Sequence, residues 1–200
     1  ASQKAGHLMR VHRIIERTGA EGPGTRLCVW VQGCGHGCRG CYAKATWDPA
    51  GGAEIDSLEL VRLIRKNRDG IDGITLLGGE PFDQAAELLP AAAEARESGL
   101  NVIAFSGYLY EELLEKSGCR ELLRYVDLLI DGAYIEEKRD FSRPLAGSAN
   151  QRFIYLTDRI SEREMQAYRN RMELRIGGDG RLIMNGMADL GALSDIINMM

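Results

Sequence analysis

Cys34, Cys38 and Cys41 fall within eight positions, in VQGCGHGCRGCYAKATWD (31–48), and make up three of the chain's five cysteines. Gly33, Gly35, Gly37 and Gly40 are interleaved with them, so a short backbone can curl until several side chains face one centre. Soft thiolates favour iron–sulfur clusters, zinc or copper(I). A structural zinc ion wants four ligands, and His36 is the only nearby fourth candidate; squeezed between Cys34 and Cys38, it would have to turn back on its own loop. A four-iron cubane is normally held by four thiolates, so three leave one iron open to a small molecule. Cys28 and Cys119 read as separate, one inside a strand and one in a helical break. An open-cornered cluster is the preferred reading, with structural zinc or a metal-free thiol group as alternatives.

The loop must be carried by something rigid. LMRVHRII (8–15) reads as an edge strand or extended lead-in, EGPGTR (21–26) as a turn and RLCVWVQ (26–32) as the strand that feeds the cysteines. After a second turn at DPAGGAE, a β/α alternation begins. SLELVRLIRKNR (57–68) has helical spacing with Ser57 as candidate N-cap, and GITLLGG (73–79) is a buried-type strand. The next helix should be bent or split by Pro90. NVIAFSG (101–107), a broken helix, DLLIDG (127–132), QRFIYLT and the polar helix SEREMQAYRNRM continue the rhythm. ELRIGGDGRLIMNG (173–186) then signals a β-hairpin, and ADLGALSDIINMM a closing helix. Repeated strand–helix units imply a mainly parallel sheet.

Two hundred residues suit one domain and fall short of the roughly 250 of a complete eight-fold β/α barrel. The chain is 44% hydrophobic and 27% charged, an ordinary globular balance. Its formal charge of −4, with scattered Lys and Arg, argues against a broad nucleic-acid footprint. No apolar run approaches the roughly 18 residues of a membrane span, and no signal-peptide pattern is seen. The odd cysteine count, with three crowded together, suits a reducing, cytoplasmic setting.

Cys-x3-Cys-x2-Cys followed by the aromatic Tyr42 resembles the signature of radical S-adenosylmethionine (SAM) enzymes, and LLGGEP (76–81) resembles that family's Gly-Gly-Glu-Pro element. EGPGTR, the extended cluster loop, SGY (106–108), DLLIDG and GSANQR (147–152) occur in order and narrow the likeness to the activating enzymes of anaerobic ribonucleoside-triphosphate reductase, over roughly residues 8–152. The resemblance implies an α/β fold, an incomplete β/α barrel of the radical SAM type over 1–152, with residues 153–200 as a hairpin-and-helix extension packed on the same domain. It implies a 4Fe-4S cluster on Cys34, Cys38 and Cys41, and SAM bound near Gly40, Tyr42, Gly78, Gly79, Glu80 and Asp131. Glu80 would pair with the SAM ammonium, and Tyr42 would lie near the adenine. Tyr108 and Asp131 would face the mouth, whereas Trp47 reads as structural.

The implied substrate is a partner protein, on which SAM cleavage leaves a glycyl radical, and the implied electron donor is a low-potential protein such as flavodoxin or ferredoxin. Alternatives are a radical SAM enzyme that modifies a peptide or metabolite, and a non-catalytic metal-binding module. Arg39 stands where relatives often carry Pro, and Ala133 where some carry Lys. Neither touches an iron ligand, so both bear on substrate identity rather than on radical chemistry.

Overall fold

The computed structural model describes residues 7–187. Seven strands form one open sheet in the order β3-β1-β2-β4-β5-β6-β7. β2 (Arg26–Val31), β4 (Gly73–Gly78), β5 (Asn101–Phe105) and β6 (Leu128–Asp131) are parallel. β1 (Leu8–Thr18), β3 (Ala53–Asp56) and β7 (Arg152–Tyr155) join by antiparallel pairing. β8 (Met172–Ile176) and β9 (Leu182–Gly186) form a separate hairpin. The fold is mixed α/β.

Alternation along the central strands divides the interior. Leu27, Val29 and Val31 of β2, with Ile74 and Leu76 of β4, meet α1 (Ser57–Asn67), α2 (Ala85–Glu97), α3 (Tyr110–Glu115) and α4 (Cys119–Leu123) in one core. Cys28, Trp30 and Leu77 point to the opposite face, where a second apolar group gathers Ile103, Leu128, Ile130 and Leu145 with Met165 of α5 (Glu162–Ala167). Burial on both faces explains why β2 and β4 read as continuous apolar runs.

Several expectations change on contact with tertiary structure. β1 lies inside the sheet, because part of the expected DPAGGAE turn becomes β3 and takes the edge position. Asp56, not Ser57, caps α1: its carboxylate accepts from the Leu58 N–H at 2.8 Å, while the Ser57 hydroxyl accepts from the His7 N–H at 3.1 Å. Pro90, in the middle of α2, leaves the helix unbroken; it forfeits one intrahelical bond, and buried Leu88, Ala91, Ala92 and Ala95 hold the rest. β7 runs antiparallel to β6, ending the parallel rhythm, and the boundary expected between 152 and 153 falls inside it. α5 covers only part of SEREMQAYRNRM. The hairpin forms as expected, around a turn in which the Gly177 N–H donates to the Arg181 carbonyl. The expected closing helix lies outside the described residues.

Candidate functional site

The cysteine loop leaves the end of β2 and folds across the ends of its parallel neighbours. The Gly33 N–H donates to the Thr46 carbonyl and the Cys34 N–H to the Trp47 carbonyl, which closes the loop on itself. The Gly79 N–H donates to the Val31 carbonyl and the Glu80 N–H to the Gly33 carbonyl, which ties the end of β4 to it. That approach requires glycine. A Cβ on Gly78, whose φ is +105°, would sit 2.6 Å from the Trp30 Cα, and one on Gly79 would strike the Gly33 carbonyl oxygen.

A cavity of about 470 Å³ opens beneath the loop. Cys34, Cys38 and Cys41 line it together with Tyr42, Gly78, Gly79 and Glu80. All three thiols are half-buried and none is in a disulfide. Burial raises the pKa of Cys34 and Cys38; backbone hydrogen bonds from His36 and Tyr134 respectively oppose it, while the neighbouring cysteines add to the rise. The Cys41 sulfur accepts from the Ala43 N–H at 3.4 Å. Among the described residues no three His, Cys, Asp or Glu side chains converge on a single-ion site, as a zinc ion would require.

Glu80 is a buried hub. Its Oε1 accepts from the Phe82 N–H and the Ser106 hydroxyl, both at 3.0 Å, and its Oε2 from the Gly107 N–H at 2.7 Å. His36 is not turned toward the sulfurs as a fourth zinc ligand would be. Its Nε2 lies 3.3 Å from Glu80 Oε2, and that carboxylate raises the His36 pKa against the effect of burial. Its ring meets the edge of Tyr108 at 4.5 Å.

Three expected contacts lie elsewhere. Gly40, at φ +75°, turns toward Glu136 and is not in the cavity wall. Asp131 is fully buried outside the cavity: Arg152 Nε donates to it at 2.9 Å and the Tyr110 N–H at 2.7 Å. At the strand end its carboxylate pairs with the neighbouring strand. Tyr108 also misses the wall; its hydroxyl donates to Asp83 at 3.0 Å. Conversely Trp47, read as structural, lines the cavity, as do Arg13, Glu21 and Asn185 from the ends of the chain. No short-range pattern marks those last three; they meet only because the hairpin folds back on β1.

A family model described as a 4Fe-4S single cluster domain matches residues 20–154. An anaerobic ribonucleoside-triphosphate reductase-activating protein of Pasteurella multocida is 35% identical over 137 residues, covering 65% of this chain and 87% of that protein. The chain belongs to this activating-protein family. A protein of the same name from Enterobacteria phage T4 is 32% identical over 158 residues, 76% of this chain and 97% of the phage protein. That of Escherichia coli K12 is 28% identical over 150 residues, 72% of this chain and 96% of its own. The cysteine loop, the end of β4 and all four parallel strands lie within the matched family region; the hairpin lies beyond it. No helix among the described residues is long and apolar enough to cross a membrane.

Proposed function

We propose that the protein is a radical SAM enzyme that installs a glycyl radical on an anaerobic ribonucleotide reductase. The observation that carries the reading is the meeting of two motifs in one cavity: three half-buried, unpaired cysteines face the same space as the glycine strand end at Gly78–Gly79. On this reading the open sheet is an incomplete radical SAM β/α barrel, extended by the hairpin and working in the cytoplasm.

Cys34, Cys38 and Cys41 would hold a 4Fe-4S cluster, each supplying one sulfur and leaving one iron without a protein ligand. When bound and reduced, that cluster supplies the electron that splits SAM into methionine and a 5′-deoxyadenosyl radical able to abstract a glycine hydrogen. Gly78 and Gly79 bring bare backbone to the wall where the amino-acid end of SAM would lie. Glu80 fixes that backbone and offers negative charge to the ammonium. Tyr42 is 59% exposed, with Tyr134 and Phe141 at 6.3 and 6.0 Å, and forms an aromatic rim suited to a purine. Apolar walls keep bulk water from a radical, and a low-potential flavodoxin or ferredoxin would reduce the cluster.

The test is anaerobic reconstitution with iron and sulfide, followed by dithionite and SAM. The expected product is 5′-deoxyadenosine and, with the reductase added, a glycyl-radical doublet by electron paramagnetic resonance. Product without a doublet on the reductase would favour the modification of another peptide or a metabolite. An iron-loaded protein that leaves SAM intact would end the reading.

A further inference from the structure

The cavity has a second end, away from the cysteines, where β1 meets the hairpin. Its walls there are apolar: Trp30, Leu77, Phe105, Leu145, Met172 and Met184. Two polar side chains interrupt them. Asn185 is 95% buried, and both hydrogens of its amide are spoken for: Nδ2 donates to Thr18 Oγ1 at 3.0 Å and to Glu21 Oε1 at 3.3 Å. Glu21 is in turn fixed by the Gly186 N–H at 2.6 Å. The amide is thereby oriented, and its Oδ1 is left buried without a partner. Arg13 is held in the same way. Its Nη1 donates to the Met184 carbonyl at 3.1 Å and its guanidinium lies 4.3 Å over the Trp30 ring, leaving Nε buried and unpartnered.

Unmade hydrogen bonds are rare in protein interiors, and each calls for an explanation. Six such side-chain atoms occur among the described residues; His36 Nε2 is one, but it lies 3.3 Å from Glu80 Oε2, and of the other five those on Arg13 and Asn185 belong to residues lining this one cavity. His36 belongs to the cysteine end. The other two are one acceptor and one donor on residues tied to Met184: Asn185 follows it in β9, and Arg13 donates to its carbonyl. One residue of an extended chain offers the complement, its own N–H and C=O directed to the same side and without net charge. A phosphate or carboxylate would meet only one suitable group and would face Glu21.

We propose that the hairpin end of the cavity is a main-chain recognition subsite, which takes one extended residue of the partner's glycine-bearing loop with its own N–H donating to Asn185 Oδ1 and its own C=O accepting from Arg13 Nε. This rests on the activase reading and adds to it how the loop is held. Recognition through the main chain suits a glycine loop, which has no side chain at the reacting residue to grip. It also gives the hairpin, which lies beyond the matched family region, a part in aligning substrate. Arg13 and Asn185 are positioning residues: they hold the loop, not the reacting atoms.

The experiment uses the full chain and a short fluorescein-labelled peptide that copies the glycine loop of the anaerobic reductase from the same genome. Binding is read by fluorescence anisotropy. Arg13→Lys, which keeps the charge and a donor for Met184 but removes Nε, is expected to weaken binding about tenfold, as is Asn185→Ser. Benzoylphenylalanine in place of Met184 should cross-link to the peptide. With reductase and SAM, the yield of glycyl radical per 5′-deoxyadenosine should fall in both variants. Peptide affinity unchanged in Arg13→Lys, or no binding to the unmodified protein, would overturn the subsite and mark the two atoms as water-bridged only. Absence of 5′-deoxyadenosine from the unmodified protein would instead defeat the activase reading, while the anisotropy still judges the subsite.

Discussion

The two ends of the cavity are built in different ways. At the cysteine end the chemistry-bearing residues are neighbours in sequence, and the strand end that meets them is fixed by glycine backbone: three thiols within eight positions, and the Gly78–Glu80 turn of β4. At the hairpin end the residues come from opposite ends of the chain, with Glu21 and Gly186 separated by 165 positions, and long-range side-chain bonds hold them. The first arrangement keeps sulfurs half-buried and accessible. The second buries a carboxyl group so fully that desolvation raises the Glu21 pKa to about 7. A local loop can present reactive groups with little support, whereas a distant hairpin must be latched before it can form a wall.

The largest effect should separate the ends completely. Replacing Cys34, Cys38 or Cys41 with Ala is expected to abolish 5′-deoxyadenosine formation and lower bound iron, because each ligand is needed. Cys28→Ala and Cys119→Ala should retain the product. Iron and sulfide content with product chromatography checks both; cleavage surviving the loss of all three ligands would break the distinction.

Glu21→Gln probes the other end. The ordinary carboxyl value is 4.5 and the folded value about 7, so burial favours the protonated acid. The stability this confers is complete below the ordinary value and is lost as pH rises through about 7. Between about pH 5 and pH 8 the protein should lose up to about 3 kcal/mol that Glu21→Gln retains, measured by chemical denaturation. A parallel pH dependence in both proteins would remove the latch.

Gly79→Ala forces a Cβ onto the Gly33 carbonyl and should cost about 1–3 kcal/mol together with some cluster loading. Asp131→Asn weakens the bond to Arg152 and should cost about 2 kcal/mol with SAM affinity unchanged, which isothermal titration can check. Weaker SAM binding would return Asp131 to the site. The smallest effect belongs to Arg39→Ala. Arg39 is 83% exposed and pairs with Glu136 at 2.8 Å on the surface, so thermal unfolding should show a change within about 0.5 kcal/mol.

What could be read in the sequence follows the same division. The cysteine loop, the turn after β4, the helical spacing of α1 and the alternation of the hairpin are all short-range patterns, and the structure contains each element. The interior placement of β1 was not readable, because it depends on β3 forming from residues that look like a turn. The cap on α1 moved by one residue since Asp56 and Ser57 are both good caps, and only tertiary contact with His7 assigns them. Asp131 is ambiguous in sequence for a similar reason: a carboxylate at a strand end looks the same whether it faces a ligand or, as in the fold, an arginine on the next strand. Arg13, Glu21 and Asn185 carry no signal apart from the fold that joins them.

The sheet ends on both sides in a strand of only four residues, β3 and β7, and the part of β1 beyond β3, from His12 to Thr18, is met by the hairpin, whose Arg175 donates to the Arg17 carbonyl and whose Asn185 donates to Thr18 Oγ1. A neighbouring molecule that tried to extend the sheet would find few free main-chain groups to zip onto before running out of template. Such blunt margins guard a protein at high concentration against fibre-like stacking, with no need for a cap of charge along either border.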